Sequence, residues 1–272
     1  MIEQKIGFIG CGNMALAIIQ GLIKQHTAAD NISASSPSAE KLTKINQRMK
    51  IHVTTDNQEI AAVSEVLVLA VKPQILPQIC QQLKTIDLSK TLIISIAAGI
   101  TTDKIATLLE QPVSIIRAMP NTPATISAGA TGLFANSKTT HQQKQTATLI
   151  FEAIGKANWV SQEDLIDVVT AIAGSSPAYV FLFIQAMVEQ AIEQGLDETN
   201  AKELATQAVM GAAKLAQSKS DESLKSLQAA VTSPGGTTAA AIACFQQNNF
   251  SNIVKKAVSA AISRGKELGE QA

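Results

Sequence analysis

Two short stretches of this chain have residue types and spacing that could act on a ligand. The first, Gly10-Cys11-Gly12-Asn13-Met14-Ala15, lies between an apolar segment, Lys5-Ile6-Gly7-Phe8-Ile9, and a helical one, Ala15 to Gln25. In a strand–turn–helix setting the first glycine permits a tight turn and the second lets backbone approach a pyrophosphate. The small third residue then keeps helix against sheet. The helix start presents free N–H groups and a positive dipole end to the anion. A bare structural turn can use the same glycines, but the strand before, the helix after and the early position all match a dinucleotide site. The second stretch is Val231-Thr232-Ser233-Pro234-Gly235-Gly236-Thr237-Thr238, opening the helical run Ala239–Gln247. A glycine pair followed by two threonines makes a concave set of N–H donors with two hydroxyls, suited to a small carboxylate. The alternative is an ordinary helix N-cap supplied by Thr237 or Thr238.

Other polar positions cluster around the first stretch. About 20 residues past the glycine turn, NAD-binding chains carry an acidic residue for the ribose 2′-hydroxyl. This chain has Ser33-Ala34-Ser35-Ser36-Pro37 there, with no carboxylate, which favours NADP; the same serines also suit a plain turn before Pro37. Ala70-Val71-Lys72-Pro73 follows an apolar run, at the strand edge where open α/β sheets bind ligands. Lys72 there could meet a phosphate or simply be solvated. Ser95-Ile96-Ala97-Ala98-Gly99 ends another apolar run with residues small enough for backbone to approach a nicotinamide, or to ease packing.

These positions need a scaffold, and the chain reads as one. Short apolar runs at Lys5–Ile9, Ile32–Ser35, Ile51–Val53, Val66–Val71, Thr91–Ala97 and Val113–Ala118 alternate with helical stretches such as Ser38–Met49 and Asn57–Val63. That alternation predicts a Rossmann-type, doubly wound parallel sheet over residues 1–160. Beyond it, Ala-rich stretches at Leu165–Ile172, Pro177–Gln194, Asn200–Ser218, Thr237–Gln247 and Ile253–Leu268 predict an all-helical domain over 161–272. A helical domain that small buries a limited core alone, so a homodimer through it is expected.

Composition removes several function classes. Twenty-two basic and 22 acidic residues balance, giving no field to attract nucleic acid or a membrane surface. Cys11, Cys80 and Cys244, like His26, His52 and His141, are too scattered for a metal site. Met1–Lys5 runs straight into an apolar strand without a signal-peptide layout, and no apolar run approaches the roughly 20 residues that span a bilayer. A soluble cytoplasmic protein is expected.

Together, Gly7–Ala15, Ala70–Pro73, Arg117-Ala118-Met119-Pro120-Asn121-Thr122-Pro123 and Thr232–Thr238 resemble the pyrroline-5-carboxylate reductase family, with Asp164–Asp167 and Gly174–Tyr179 adding to it. The blocks occur in family order over nearly the whole chain, and Ser-Pro-Gly-Gly-Thr-Thr is far more specific than the glycine turn. Ser176 stands where the family often has glycine. The resemblance implies reduction of L-1-pyrroline-5-carboxylate to L-proline, the last step of proline synthesis, with NADPH preferred over NADH. It also implies a dimer interlocked through the helical domain, in some members built into a decamer. On this reading the substrate carboxylate sits on the N–H groups of Gly236, Thr237 and Thr238, beside Val231 and Ser233. The Thr238 hydroxyl is the catalytic contact to the ring nitrogen, and Glu163 approaches the substrate. Phe8, Ile9, Gly10, Cys11, Gly12, Asn13 and Met14 surround the pyrophosphate, with Ser35 and Ser36 near the 2′-phosphate. Asn57, Ala70, Val71, Lys72 and Pro73 line the adenosine and ribose, and Ala97 lies near the nicotinamide. Two rivals remain. A β-hydroxyacid dehydrogenase would need a catalytic lysine on the helical domain, where Lys202 and Lys214 are candidates by position only. A non-catalytic NADP-binding protein would not need the Pro234–Thr238 segment.

Overall fold

The computed structural model describes residues 2–270. Its strands are β1 (Ile6–Ile9), β2 (Ile32–Ser35), β3 (His52–Thr54), β4 (Val66–Leu69), β5 (Leu92–Ser95), β6 (Ser114–Met119), β7 (Gly129–Ala135) and β8 (Gly155–Trp159). They form one sheet in the order β3-β2-β1-β4-β5-β6-β7-β8. Every residue of β1, β4 and β5 is buried, as expected of strands covered on both faces. The covering helices are α1 (Asn13–Lys24), α2 (Ala39–Met49), α3 (Asn57–Val63), α4 (Leu76–Leu83), α5 (Thr102–Leu109), α6 (His141–Glu152) and α7 (Leu165–Val169). The two-residue period of a strand sends Phe8 to one core cluster, with Ile18 and Leu22 of α1, and Ile9 to the other, with Leu83 of α4 and Ile105 of α5. Strand order reverses direction between β1 and β4, which places the glycine turn at a topological switch point.

The sheet departs from the expected all-parallel form at one place. β6 and β7 pair antiparallel, Met119 opposite Gly132, while every other pair is parallel. Their connection holds a short 3-10 helix, Thr122–Ile126, and is too brief for the dozen or so residues of a crossover helix. Thr140 then opens α6 with a capping box to Gln143, and α6 returns the chain to β8 in parallel.

The chain divides into two compact units, one reaching to Ser175 and resuming at Ala260, the other Ser176–Ser259. This division falls after the expected boundary at residue 160, and the stretch between the two belongs by its contacts to the first unit. Residues 161–175, with α7 and one π-helical turn at Thr170–Gly174, pack with the sheet: Gly132 of β7 lies under Val169, where a Cβ would come within 2.6 Å of a valine methyl. The second unit contains α8 (Ser176–Glu193), α9 (Glu198–Ser218), α10 (Leu224–Ala230), α11 (Thr237–Gln247) and the first part of α12 (Phe250–Glu270). Within it only Val188, Ala201 and Ala205 are buried hydrophobics among the described residues. The helical stretch Leu165–Glu193 is long and apolar enough to cross a membrane by length and composition alone.

Candidate functional site

The glycine turn is built by backbone. Gly10 takes φ +97°, donates its N–H to the Ser35 carbonyl at 2.9 Å, and leaves no room for a side chain, since a Cβ would stand 2.5 Å from the Ala70 oxygen. Cys11 is buried, with its Sγ 3.4 Å from the same Ser35 carbonyl. Burial pushes its thiol up to about 11, against a smaller lowering by Lys41, so Cys11 is a packing group and not a nucleophile at neutral pH. Gly12 behaves differently, because a Cβ there would meet nothing within 4 Å. It is the N-cap of α1, no side chain caps that helix, and its first turn carries no acid. The N–H groups of Asn13, Met14 and Ala15 therefore have no partner among the described residues. An open glycine over three free donors at a helix N-terminus fits the pyrophosphate of a dinucleotide.

Phe8 and Ile9 are wholly buried core side chains, so only their backbone faces the turn. Ser35 is fully buried, and its hydroxyl donates to Asn57 Oδ1 at 2.7 Å. It is therefore not the free donor to a 2′-phosphate that the sequence suggests. Asn57 in turn donates to Gln82 at 2.8 Å, so the Ser35–Asn57 pair braces β2 against α3 and α4. Ser36 is 8% exposed and its N–H is used by Thr54. The cation missed from sequence at this edge is Lys41, half-buried in the first turn of α2 and close enough to Cys11 to act on its thiol. On the other side of β1, Ala70 donates to the Ile9 carbonyl at 2.8 Å, and Val71 packs in the second core cluster. Lys72 is exposed at the start of the short 3-10 helix Pro73–Ile75. Ala97, 2% exposed, is tied to the Ser95 hydroxyl through its N–H.

At the helical unit's candidate, α11 begins at Thr237 with Gly236 as N-cap and no side-chain cap. This removes the ordinary reading of Thr237 or Thr238 as a cap. The N–H groups of Thr237, Thr238 and Ala239 have no partner among the described residues, and both threonine side chains are exposed. The Gly236 N–H, by contrast, already donates to the Ser233 carbonyl at 3.1 Å. This corrects the expected donor set: the free donors begin one residue later and run to Ala239. Gly235 takes φ +72°, which turns the chain into the helix. Val231, at the end of α10, is 62% exposed.

Glu163 is engaged elsewhere. Its two oxygens accept from the Thr102 N–H at 2.7 Å and the Thr102 hydroxyl at 2.9 Å, securing the first turn of α5. It also lies 3.9 Å from Arg117, whose guanidinium is 2% exposed and bonds Asp167 at 2.6 Å. Both oxygens of Glu163 already accept from Thr102, so an approach to a substrate would share those acceptors with α5. Sequence reasoning missed this buried network, although a charge inside the apolar strand Ser114–Met119 signals a buried partner. Asn121 is likewise structural, accepting from the Ala130 N–H at 2.8 Å and donating to the Ala173 carbonyl at 3.0 Å.

Among the described residues no group of His, Cys, Asp and Glu could hold a metal ion.

Comparisons with known proteins agree with this layout. Residues 163–268 match the family described as pyrroline-5-carboxylate reductase dimerisation, and residues 5–99 match NADP oxidoreductase, coenzyme F420-dependent. The chain is 43% identical to a pyrroline-5-carboxylate reductase of Vibrio alginolyticus and 44% to that of Pseudomonas aeruginosa, covering at least 98% of each chain. Its structure resembles a pyrroline-5-carboxylate reductase of Coxiella burnetii, with TM-score 0.93, 42% identity, and 98% of this chain and 99% of that one covered. It also resembles the NADP-bound Plasmodium falciparum pyrroline carboxylate reductase, with TM-score 0.87, 30% identity and 99% of each chain covered. By sequence over its whole length and by fold, this oxidoreductase belongs to the pyrroline-5-carboxylate reductase family.

Proposed function

We propose that the chain is a cytoplasmic, homodimeric reductase that converts L-1-pyrroline-5-carboxylate to L-proline with NADPH. The observation that carries the substrate half is the start of α11, where three unpartnered N–H groups and two uncommitted threonine hydroxyls share one helix end. That set holds a small carboxylate by hydrogen bonds and by the helix dipole. The Thr238 hydroxyl accepts from or donates to the ring nitrogen and orients the imine. The nicotinamide, when bound, supplies the hydride to the imine carbon. A pyrroline nitrogen can arrive protonated at neutral pH and so needs no strong acid, and a threonine hydroxyl is a poor one. Orientation is then the protein's main contribution, with about 7–11 kcal/mol available from well-placed reactants.

Preference for NADPH is supported by the absence of a carboxylate at Ser33–Ser38 and by the half-buried Lys41 beside that turn. The Plasmodium falciparum relative, solved with NADP bound, supports it too. A β-hydroxyacid dehydrogenase reading has no corresponding support, because Lys202 and Lys214 are both exposed.

The test follows NADPH oxidation with L-1-pyrroline-5-carboxylate for the wild type, Thr238→Ala and Thr238→Ser. Wild type turns over, Thr238→Ala loses about tenfold or more in kcat, and Thr238→Ser recovers most of it. No turnover by the wild type overturns the assignment, whereas full activity of Thr238→Ala overturns only the role of Thr238. A higher kcat/KM with NADH than with NADPH overturns the cofactor preference.

A further inference from the structure

We propose that the last turn of α12 positions the loop between β5 and α5, and through it the nicotinamide. Gly265 and Gly269 are four residues apart and so share one face of α12. Gly99 meets that face in a left-handed conformation, φ +79°. A Cβ on Gly99 would stand 2.7 Å from the Gly269 nitrogen and 3.2 Å from the Gly265 oxygen. A Cβ on Gly269 would stand 2.1 Å from the Gly99 oxygen. Both contacts are backbone against backbone, so no flexible side chain is present to yield.

The loop explains why such a contact matters. Its first end is fixed where the Ala97 N–H meets the Ser95 hydroxyl at 3.3 Å. Its other end is fixed where Glu163 receives both donors of Thr102. Between them, among the described residues, neither Ala98 nor Gly99 donates a hydrogen bond. The Ile100 side chain is buried in the second core cluster, and Gly99 before it rests against the α12 backbone. This loop leaves the carboxyl end of β5, next to β4 at the cofactor edge, and its assignment to the nicotinamide rests on the proposed function. Gly269 touches neither substrate nor cofactor in this scheme; it is a positioning residue. The same helix begins at Phe250 in the helical unit and passes into the dinucleotide-binding unit after Ser259.

The structure contains its own control. A Cβ on Gly265 would meet nothing within 4 Å, although it sits one turn earlier on the same helix. Gly269→Ala and Gly265→Ala therefore add the same atom and the same helix propensity, and only one should disturb the loop. The experiment measures kcat with NADPH and L-1-pyrroline-5-carboxylate, the fluorescence of NADPH on binding, and affinity for 2′,5′-ADP, which carries only the adenosine half of the cofactor. Gly269→Ala should lose about tenfold or more in kcat and much of the fluorescence change, because small misplacement of reactants is amplified in rate. Its 2′,5′-ADP affinity should stay within about twofold, and Gly265→Ala should match wild type throughout, since independent sites do not couple. Wild-type behaviour of Gly269→Ala overturns the proposal. So does equal loss in both variants, or a parallel loss of 2′,5′-ADP binding. If the wild type fails to reduce the imine, the function assignment falls instead, and the fluorescence comparison still decides the role of Gly269.

Discussion

A Cβ on Gly10 would collide with the Ala70 carbonyl at 2.5 Å, whereas one on Gly12, two residues later, would point into open space. The first glycine serves the fold and the second leaves room for a ligand. Gly10 also holds φ +97°, which penalises any other residue by itself. Gly10→Ala is therefore expected to destabilise the protein, by about 1–3 kcal/mol from the strained conformation before the clash is added. Gly12→Ala is expected to leave the thermal midpoint within about 2 °C of wild type, as a substitution in open space does. It should nevertheless weaken NADPH binding by about tenfold or more, because the methyl occupies the path of the pyrophosphate. Parallel thermal melts and NADPH titrations separate the two, and normal NADPH affinity in Gly12→Ala would remove the turn from the cofactor site. Cys11, between them, adds no chemistry, since its thiol is held protonated well above neutral pH.

At the scale of elements, the Arg117–Asp167 pair connects β6 to α7, and the Glu163–Thr102 bonds connect the segment before α7 to α5. Arg117 is 2% exposed and its Nε has no hydrogen-bond partner; its charge is met by Asp167 at 2.6 Å and, more distantly, by Glu163 at 3.9 Å. Removing one partner of a buried pair costs about 3–5 kcal/mol, and here Glu163 at 3.9 Å leaves the Arg117 charge partly compensated, which sets that range as an upper bound. Asp167→Ala should lower stability by that order in denaturant unfolding, while Arg117→Met with Asp167→Leu should recover much of it by removing both charges. If the single and double variants unfold alike, the pair is not what holds these elements. Sequence alone revealed much of this architecture. β2, α3 and α11 match their expected residues. β7 and β8 stayed hidden for a physical reason. Both begin on a glycine, a residue depleted in strands, and Gly155 lies where a Cβ would come within 2.0 Å of the Gly129 oxygen, so glycine permits close approach of the two strands. The site was legible to the same depth. Spacing identified both glycine turns, but the commitment of Ser35 to Asn57, and of the Gly236 N–H to Ser233, depends on tertiary contact and backbone dihedrals that spacing does not encode.

At the scale of the molecule, the helical unit is short of a core. Val188, Ala201 and Ala205 are the buried hydrophobics described in it, while Phe181 is 66%, Leu182 73% and Leu224 74% exposed. Exposed apolar surface of that extent marks an interface or an aggregation-prone face. A membrane would need a uniformly apolar helix, yet Gln185 and Glu189 are exposed on α8 and bond each other at 2.8 Å. The match of residues 163–268 to a dimerisation family supports oligomerisation through this region, and the proposed covering surface is a second copy of this chain. Twice the chain mass of 28.6 kDa is therefore expected in sedimentation equilibrium. Unfolding of the proposed dimer should also depend on protein concentration, with apparent stability rising by about 1.4 kcal/mol per tenfold increase. Leu182→Asp places a charge on the most exposed part of α8 without disturbing any buried residue within the unit. It should shift the protein to monomer, and the monomer should unfold at lower denaturant because its few buried side chains cannot sustain five helices alone. A wild-type monomer with concentration-independent unfolding would show instead that the helical unit is stable unaided, and the interface argument would fail.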